Sequence, residues 1–259
     1  MMDYEGFKSE IYKMTDLDLN SYKEKQMKRR IDSLITKNGL PGYDEYVKQL
    51  KINSVMFNEF INFLTINVSE FYRNPEQWVV LEKEIIPMLL QKSKTLKIWS
   101  SASSTGDEPY TLAMVLNKFM PLRDIKIYAT DIDKGALDKA IAGEYGYKSV
   151  ENLPKEFLDK YFTKQGEMYK INDEIKRCVE FKQLNLLKDN YPTNFDLIVC
   201  RNVLIYFTEE AKIEIYKRFN KSLRNEGILF VGSTEQIIFC QKYNFKPLKT
   251  FFYVKDATI

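Results

Sequence analysis

The chain has 259 residues, enough for one large domain or two smaller ones with a buried core. Hydrophobic residues make up 44% of it, a globular balance, and its net charge of +3 is too small to signal nucleic acid, whose binding domains carry a dense basic stripe. It contains no histidine, which excludes Ser–His and Cys–His nucleophile pairs, imidazole bases and most zinc sites.

Cys178, Cys200 and Cys240 are odd in number and far apart, so buried free thiols are expected in place of a disulfide framework or a metal site. No window approaches the roughly 18 uninterrupted apolar residues of a membrane helix. The N-terminal MMDYEGFKSE is acidic and polar where a signal peptide is basic and then apolar. A cytoplasmic protein without membrane insertion is the expectation.

In chain order, Phe7, Ile11 and Met14 recur at helical spacing. Ser21 with Glu24 reads as a capping box opening a helix that stops at Asn38-Gly39, and Phe57, Phe60, Ile61 and Leu64 repeat the pattern. Residues 1–66 are therefore expected to form an all-helical domain, followed by a linker over 67–80 that contains NVSEFYRNPEQW. From Leu96 short β-rich runs alternate with helices: LKIWS, IKIYATD, VEFKQLN, FDLIVC, GILFVGS and finally TFFYVKD. Such alternation predicts an α/β domain over 81–259 with a parallel, doubly wound sheet. The stretch 143–179 is too long for a βα connection and reads as a small inserted subdomain, partly β.

The first of these strands runs into SSASSTG and a helix opening at Asp107. In open α/β sheets this carboxyl edge is where ligands bind. A dinucleotide loop would read GxGxxG, but here there is one glycine, and Asp107 and Glu108 stand where a pyrophosphate would meet the helix N-terminus. A cationic ligand fits better, and S-adenosylmethionine carries a sulfonium and an ammonium. The second strand ends in ATDID, which places Asp131 near the spacing of a ribose-binding carboxylate and Asp133 where a helix N-cap belongs. Asn185-Leu186 after the third strand could read an adenine edge and face. CRNVLIYF puts Arg201, Asn202 and Tyr206 at and after the end of the fourth, where packing alone gives no reason for Arg-Asn.

INVSEFYRNPE, KIWSSASSTGDEPYTLAM, ATDID, NLL, CRNVLIYF and LFVGSTE, in this order, resemble the chemotaxis receptor glutamate methyltransferases, the CheR family, over nearly the whole chain. The resemblance implies a Rossmann-like S-adenosylmethionine-dependent methyltransferase sheet with an N-terminal all-helical domain and a small inserted β subdomain. It implies an enzyme that esterifies glutamates on the cytoplasmic helical region of chemoreceptors and releases S-adenosylhomocysteine, with no metal. Carried over by motif, Asn67, Ser69, Arg73, Glu108, Asp131, Asn185, Leu186, Arg201 and Asn202 would contact the cofactor, with Arg73 and Tyr206 as the catalytic pair. The chain departs from some members in the insertion, where TKQGEMY replaces a longer loop that grips a receptor pentapeptide, so untethered binding is expected.

A glutamate acceptor, with a reference pKa of about 4.3, is already ionised at neutral pH, so methyl transfer needs no general base and the missing histidines are no obstacle. Arg73 is the candidate for orienting the carboxylate, and Tyr206 for a cation–π-like contact with the sulfonium. On YKEKQMKRRI, Met27, Ile31 and Leu34 share one side of a helix. Lys25, Lys28 and Arg29 gather within an arc of roughly 100° on another, a basic face suited to an acidic helical partner. The alternatives are a methyltransferase of the same fold acting on RNA or a small molecule, and a non-catalytic module that binds the cofactor.

Overall fold

The computed structural model describes residues 2–65 and 68–256. Its internal contacts divide the chain into two units, one made of residues 1–67 with Val203–Glu214, the other of Val68–Asn202 with Ile215–Ile259.

The first unit is helical: α1 (Tyr4–Thr15), α2 (Glu24–Lys37), α3 (Tyr43–Ile52) and α4 (Ser54–Thr65). Asp3 caps α1 by accepting the Gly6 N–H at 2.8 Å. Phe7 and Ile11 are fully buried, as the spacing requires, and the Phe7, Tyr46 and Phe60 rings pack at centroid distances of 5.9–6.2 Å. Met27, Ile31 and Leu34 line the buried side of α2, whose stop at Asn38-Gly39 is as expected, with Gly39 at φ +65°. The capping box does not form. Ser21 lies in a 3-10 turn (Leu19–Ser21), and Lys23 precedes α2 without a side-chain cap. Tertiary pairing takes these groups: the Ser21 carbonyl accepts the Thr208 N–H, the Tyr206 carbonyl accepts the Lys23 N–H, each at 2.9 Å, and Tyr22 pairs with Phe207 across a one-residue antiparallel bridge.

The second unit opens with α5 (Pro75–Val80), a π turn (Leu81–Ile85) and α6 (Ile86–Lys92). There follow β1 (Lys97–Ser100), α7 (Asp107–Leu116), β2 (Lys126–Asp131) and α8 (Lys134–Ala142). The insertion holds β3 (Glu144–Gly146), α9 (Tyr147–Val150), α10 (Lys155–Tyr161), β4 (Phe162–Gln165), β5 (Met168–Ile171) and α11 (Asp173–Lys176). The unit closes with β6 (Val179–Gln183), β7 (Phe195–Cys200), α12 (Glu209–Ser222), which begins in the first unit, β8 (Leu223–Val231), β9 (Phe245–Lys249) and β10 (Phe252–Lys255). The main sheet has the order β6-β2-β1-β7-β8-β10-β9, and the insertion is a separate antiparallel sheet, β3-β5-β4, so the expected β subdomain is present.

The doubly wound parallel sheet is present as expected, and it ends in an antiparallel edge. β6, β2, β1, β7 and β8 run parallel, whereas β10 is antiparallel to both β8 and β9. FKPLK, the unexpected β9, carries Pro247 and lies at the sheet edge, where a missing N–H is tolerated. Between β1 and β7 the connections leave in opposite directions, the switch point at which such sheets open a crevice beyond their carboxyl ends.

Candidate active site

The loop after β1 is held by the protein itself. The Ser101 N–H donates to the Val199 carbonyl, that of Ser103 to Thr130 and that of Gly106 to Ser103, each at 2.9 Å, and the Ser104 N–H donates to Asp131 Oδ2 at 2.8 Å. Four N–H donors that a phosphate loop would aim at its ligand are thus already engaged. Gly106 has φ +90°, and a Cβ there would meet the Ala140 Cβ at 2.9 Å and the Tyr110 ring at 3.0 Å, so only glycine fits. Asp107 then opens α7 with its side chain fully buried. Its carboxylate accepts from the Thr105 hydroxyl at 2.5 Å and from Ser69, and burial pushes its pKa up to about 6.

Glu108 accepts from the Ser100 hydroxyl at 2.8 Å and faces Arg201 at 3.6 Å, with burial raising its pKa against the pull of that guanidinium. Arg201 is 6% exposed and committed to the protein. Its Nη2 donates to the Arg73 carbonyl at 2.8 Å, Gln77 Oε1 at 2.9 Å and Asn74 Oδ1 at 3.2 Å, and its guanidinium lies over the Phe230 and Trp78 rings. The Arg73 carbonyl also accepts the Trp78 indole N–H at 2.9 Å, and the residues on either side, Tyr72 and Asn74, both have left-handed backbones. Such conformations persist in side-chain-bearing residues only where the surroundings enforce them. The clamp leaves the Arg73 side chain half-buried, with Nη1 donating to the Val68 carbonyl at 3.2 Å.

Asp131 ends β2 at 8% exposure. Backbone N–H groups of Ser104 and Asp133 engage one oxygen each, at 2.8 and 2.9 Å, and burial pushes its pKa up to about 6. With Ile132 as a further backbone partner, the carboxylate still keeps capacity to accept from a ligand hydroxyl. Asp133 caps α8 by accepting the Ala136 N–H at 3.1 Å, as its place in the sequence requires. Beyond β6, Asn185 Oδ1 accepts the Leu187 N–H at 2.9 Å, leaving the side-chain amide donors of Asn185 for a ligand, and Leu186 is buried.

At the end of β7, Asn202 adopts φ +60°, and its N–H donates to Glu235 Oε2 at 2.6 Å. The same oxygen accepts the Gly232 N–H at 2.9 Å, so a carboxylate only 5% exposed ties the exits of β7 and β8 together. Glu235 was not a sequence candidate; an acid three residues past the Gly232 that ends the strand run was the available signal. Ser100, Asn74 and Gln77 were missed for the same reason: their work is to hold other site residues.

Ser103 Oγ, Asp107 Oδ1 and Asn202 Oδ1 are buried without a hydrogen-bond partner. Orphaned acceptors near Glu108, Asp131 and Glu235, and loop donors spent on the protein, fit a ligand bearing an ammonium, a sulfonium and ribose hydroxyls better than a phosphorylated one. Among the described residues no group of three or more Cys, Asp or Glu side chains is arranged to hold a metal ion. Asn67 lies outside the described residues. Tyr206, four residues after Asn202 in the chain, belongs to the helical unit, in a 3-10 turn (Leu204–Tyr206).

Residues 67–254 match the family described as CheR methyltransferase, SAM binding domain, and residues 2–65 match CheR methyltransferase, all-alpha domain. The chain is 43% identical over 254 residues to a chemotaxis protein methyltransferase of Listeria innocua, covering 98% of this chain and 97% of that one. It is 32% identical over 241 residues to one of Borreliella burgdorferi, covering 88% and 85%, and 32% identical over 260 aligned positions to one of Escherichia coli, covering 96% and 86%.

Proposed function

This chain belongs to the CheR methyltransferase family of S-adenosylmethionine-dependent protein-glutamate methyltransferases, and from that premise we propose that its acceptors are glutamates on the cytoplasmic helical region of chemotaxis receptors. The products would be a glutamyl methyl ester and S-adenosylhomocysteine, in the service of sensory adaptation. The observation that carries the reading is the carboxyl edge of the sheet, where Asp131 and Glu108 stand with buried, unpartnered acceptors while the N–H groups of Ser101, Ser103, Ser104 and Gly106 are spent on the protein.

Bound there, the cofactor supplies an electrophilic methyl group on a positively charged sulfur. Asp131 would accept from ribose hydroxyls, Asn185 and Leu186 would take the edge and face of the adenine, and Asn202 Oδ1 with Glu108 would receive the ammonium. Ser69, which bonds Asp107, would close the linker side. Arg201 acts through others, holding Glu108 and the Arg73 carbonyl in place. Arg73, on its clamped turn, would orient the acceptor carboxylate. No residue has to move a proton, so alignment and exclusion of water are the work.

Asp131→Ala should weaken binding of S-adenosylhomocysteine by about 10- to 100-fold, since a hydrogen bond to a charged group is worth about 1.5–3 kcal/mol. Unchanged affinity by calorimetry would take Asp131 out of the site. Lys25, Lys28 and Arg29 are exposed on α2, with Lys28 over the Tyr4 ring at 5.6 Å, a basic face for the acidic receptor helix. The β4–β5 turn is short, with Gly166 at φ +59°, which supports an encounter steered by this face and not by a tethered peptide. Reversing all three cations to Glu should raise the KM for receptor and flatten its salt dependence at constant cofactor affinity. A wild-type KM at low ionic strength would make the face solvated surface only.

A further inference from the structure

The connection from β8 to β9 displays Ile238 and Phe239 side by side at 74% and 66% exposure. Single exposed apolar residues are ordinary, but these two stand on a segment that is otherwise pinned. Glu235 is anchored to Gly232 and Asn202, the Ile237 N–H donates to the Tyr253 hydroxyl at 2.9 Å, and the Lys242 N–H donates to the Phe239 carbonyl at 3.0 Å. Ile237 and Cys240, on either side of the pair, are buried. Phe239 itself sits at φ +58°, a conformation that bulky side chains rarely adopt. Adjacent anchors thus hold the ring outward, where a relaxed loop would fold it in. The Lys242 ammonium lies 5.1 Å from the Phe239 ring centroid and forms no ion pair among the described residues, so the tip combines an apolar pair with a free cation.

We propose that Ile238, Phe239 and Lys242 form a docking lip for the acceptor protein, taking a segment that presents an apolar side chain beside an acidic one. Two observations select this occupant. The lip begins three residues after Glu235, whose carboxylate holds Asn202 in the candidate active site, so it is continuous with that site within one unit. Its charge complements a polypeptide that must carry carboxylates in order to be methylated. A rigid aromatic anchor also binds with little ordering cost, which explains why strain is kept at Phe239. The proposal deepens the reading of the enzyme as a receptor methyltransferase and rests on it.

The test uses the full chain, labelled S-adenosylmethionine and the cytoplasmic fragment of a methyl-accepting chemotaxis protein. Ile238→Ser and Phe239→Gly should each raise the KM for the fragment by about tenfold, the effect of losing one interface anchor. Lys242→Glu should raise it more at low salt than at high salt. S-adenosylhomocysteine affinity should be unchanged in all three, and Phe239→Gly, which relieves the left-handed strain, should melt no lower than the wild type. If the wild-type enzyme labels the fragment and the variants keep its KM, the lip is not a docking surface while the receptor reading stands. If the wild-type enzyme places no base-labile methyl on the fragment, both readings fall. Concentration-dependent self-association that the two apolar variants abolish would assign the lip to a second copy of the chain and overturn the proposal.

Discussion

Arg201→Met should destabilise the sheet-bearing unit strongly while keeping the side chain's volume. In the wild type the guanidinium is almost wholly buried, donates from one nitrogen to Arg73, Asn74 and Gln77, and faces Glu108 at 3.6 Å. The variant leaves three acceptors and a carboxylate without their donor. Breaking a buried ion pair by removing one partner costs about 3–5 kcal/mol. For a unit of this size about 1 kcal/mol shifts the melting temperature by about 2–4 °C, so a drop on the order of 10 °C is expected. Both tryptophans, Trp78 and Trp99, lie in this unit and are buried, so intrinsic fluorescence reports its unfolding directly. The Arg73 turn loses an anchor too, and kcat should fall further than loss of folded enzyme explains. A variant melting within about 2 °C of the wild type would mean that the buried network is not what holds the linker, and the assignment of Arg201 as a positioning residue would be withdrawn.

Protonation of Asp131 should weaken the cofactor. With its pKa pushed up to about 6, acidification from pH 7 to 5 replaces the acceptor carboxylate by an acid, so S-adenosylhomocysteine affinity should fall through that window, and Asp131→Asn should make the fall shallower by calorimetry. Asp107 acts on stability with the opposite trend. Its folded pKa of about 6 lies above the reference of 3.8, so its stabilising contribution is fully present below about 3.8 and lost as pH rises through 6. The unfolding free energy of the wild type relative to Asp107→Asn should therefore be higher at pH 5 than at pH 7, and a difference constant with pH would contradict the burial argument.

The parts of this molecule that repeat were legible in the sequence. Phe7, Ile11, Met27, Ile31 and Leu34 are buried on the helical spacings read for them, and Asp133 caps α8 as its place after a strand required. The strand ends and the loop after β1 pointed to Glu108, Asp131, Arg201 and Asn202 as candidates because α/β architecture sends every parallel strand to the same edge. What the sequence concealed depended on tertiary partners. Ser21 and Glu24 have capping-box spacing, yet pairing of Tyr22 with Phe207 holds that backbone elsewhere. β9 was hidden by Pro247, which only an edge position permits. Glu235 carried only the faint signal of an acid three residues past Gly232 and the turn around Arg73 carried none, since one is recognised by the N–H groups it accepts and the other by two left-handed residues. Arg201 stood out in the sequence as a candidate, but its inward direction follows only from Gln77, Asn74 and the Arg73 carbonyl closing around it.

The chemistry of the product tests the central claim most directly. Chemoreceptor-containing membranes incubated with the enzyme and tritium-methyl S-adenosylmethionine should acquire label on the receptor band, and mild alkali should release it as volatile methanol, because the acceptor is a carboxylate and the linkage an ester. Label that survives alkali, or label found on RNA or a small molecule with the receptor band empty, would contradict the account.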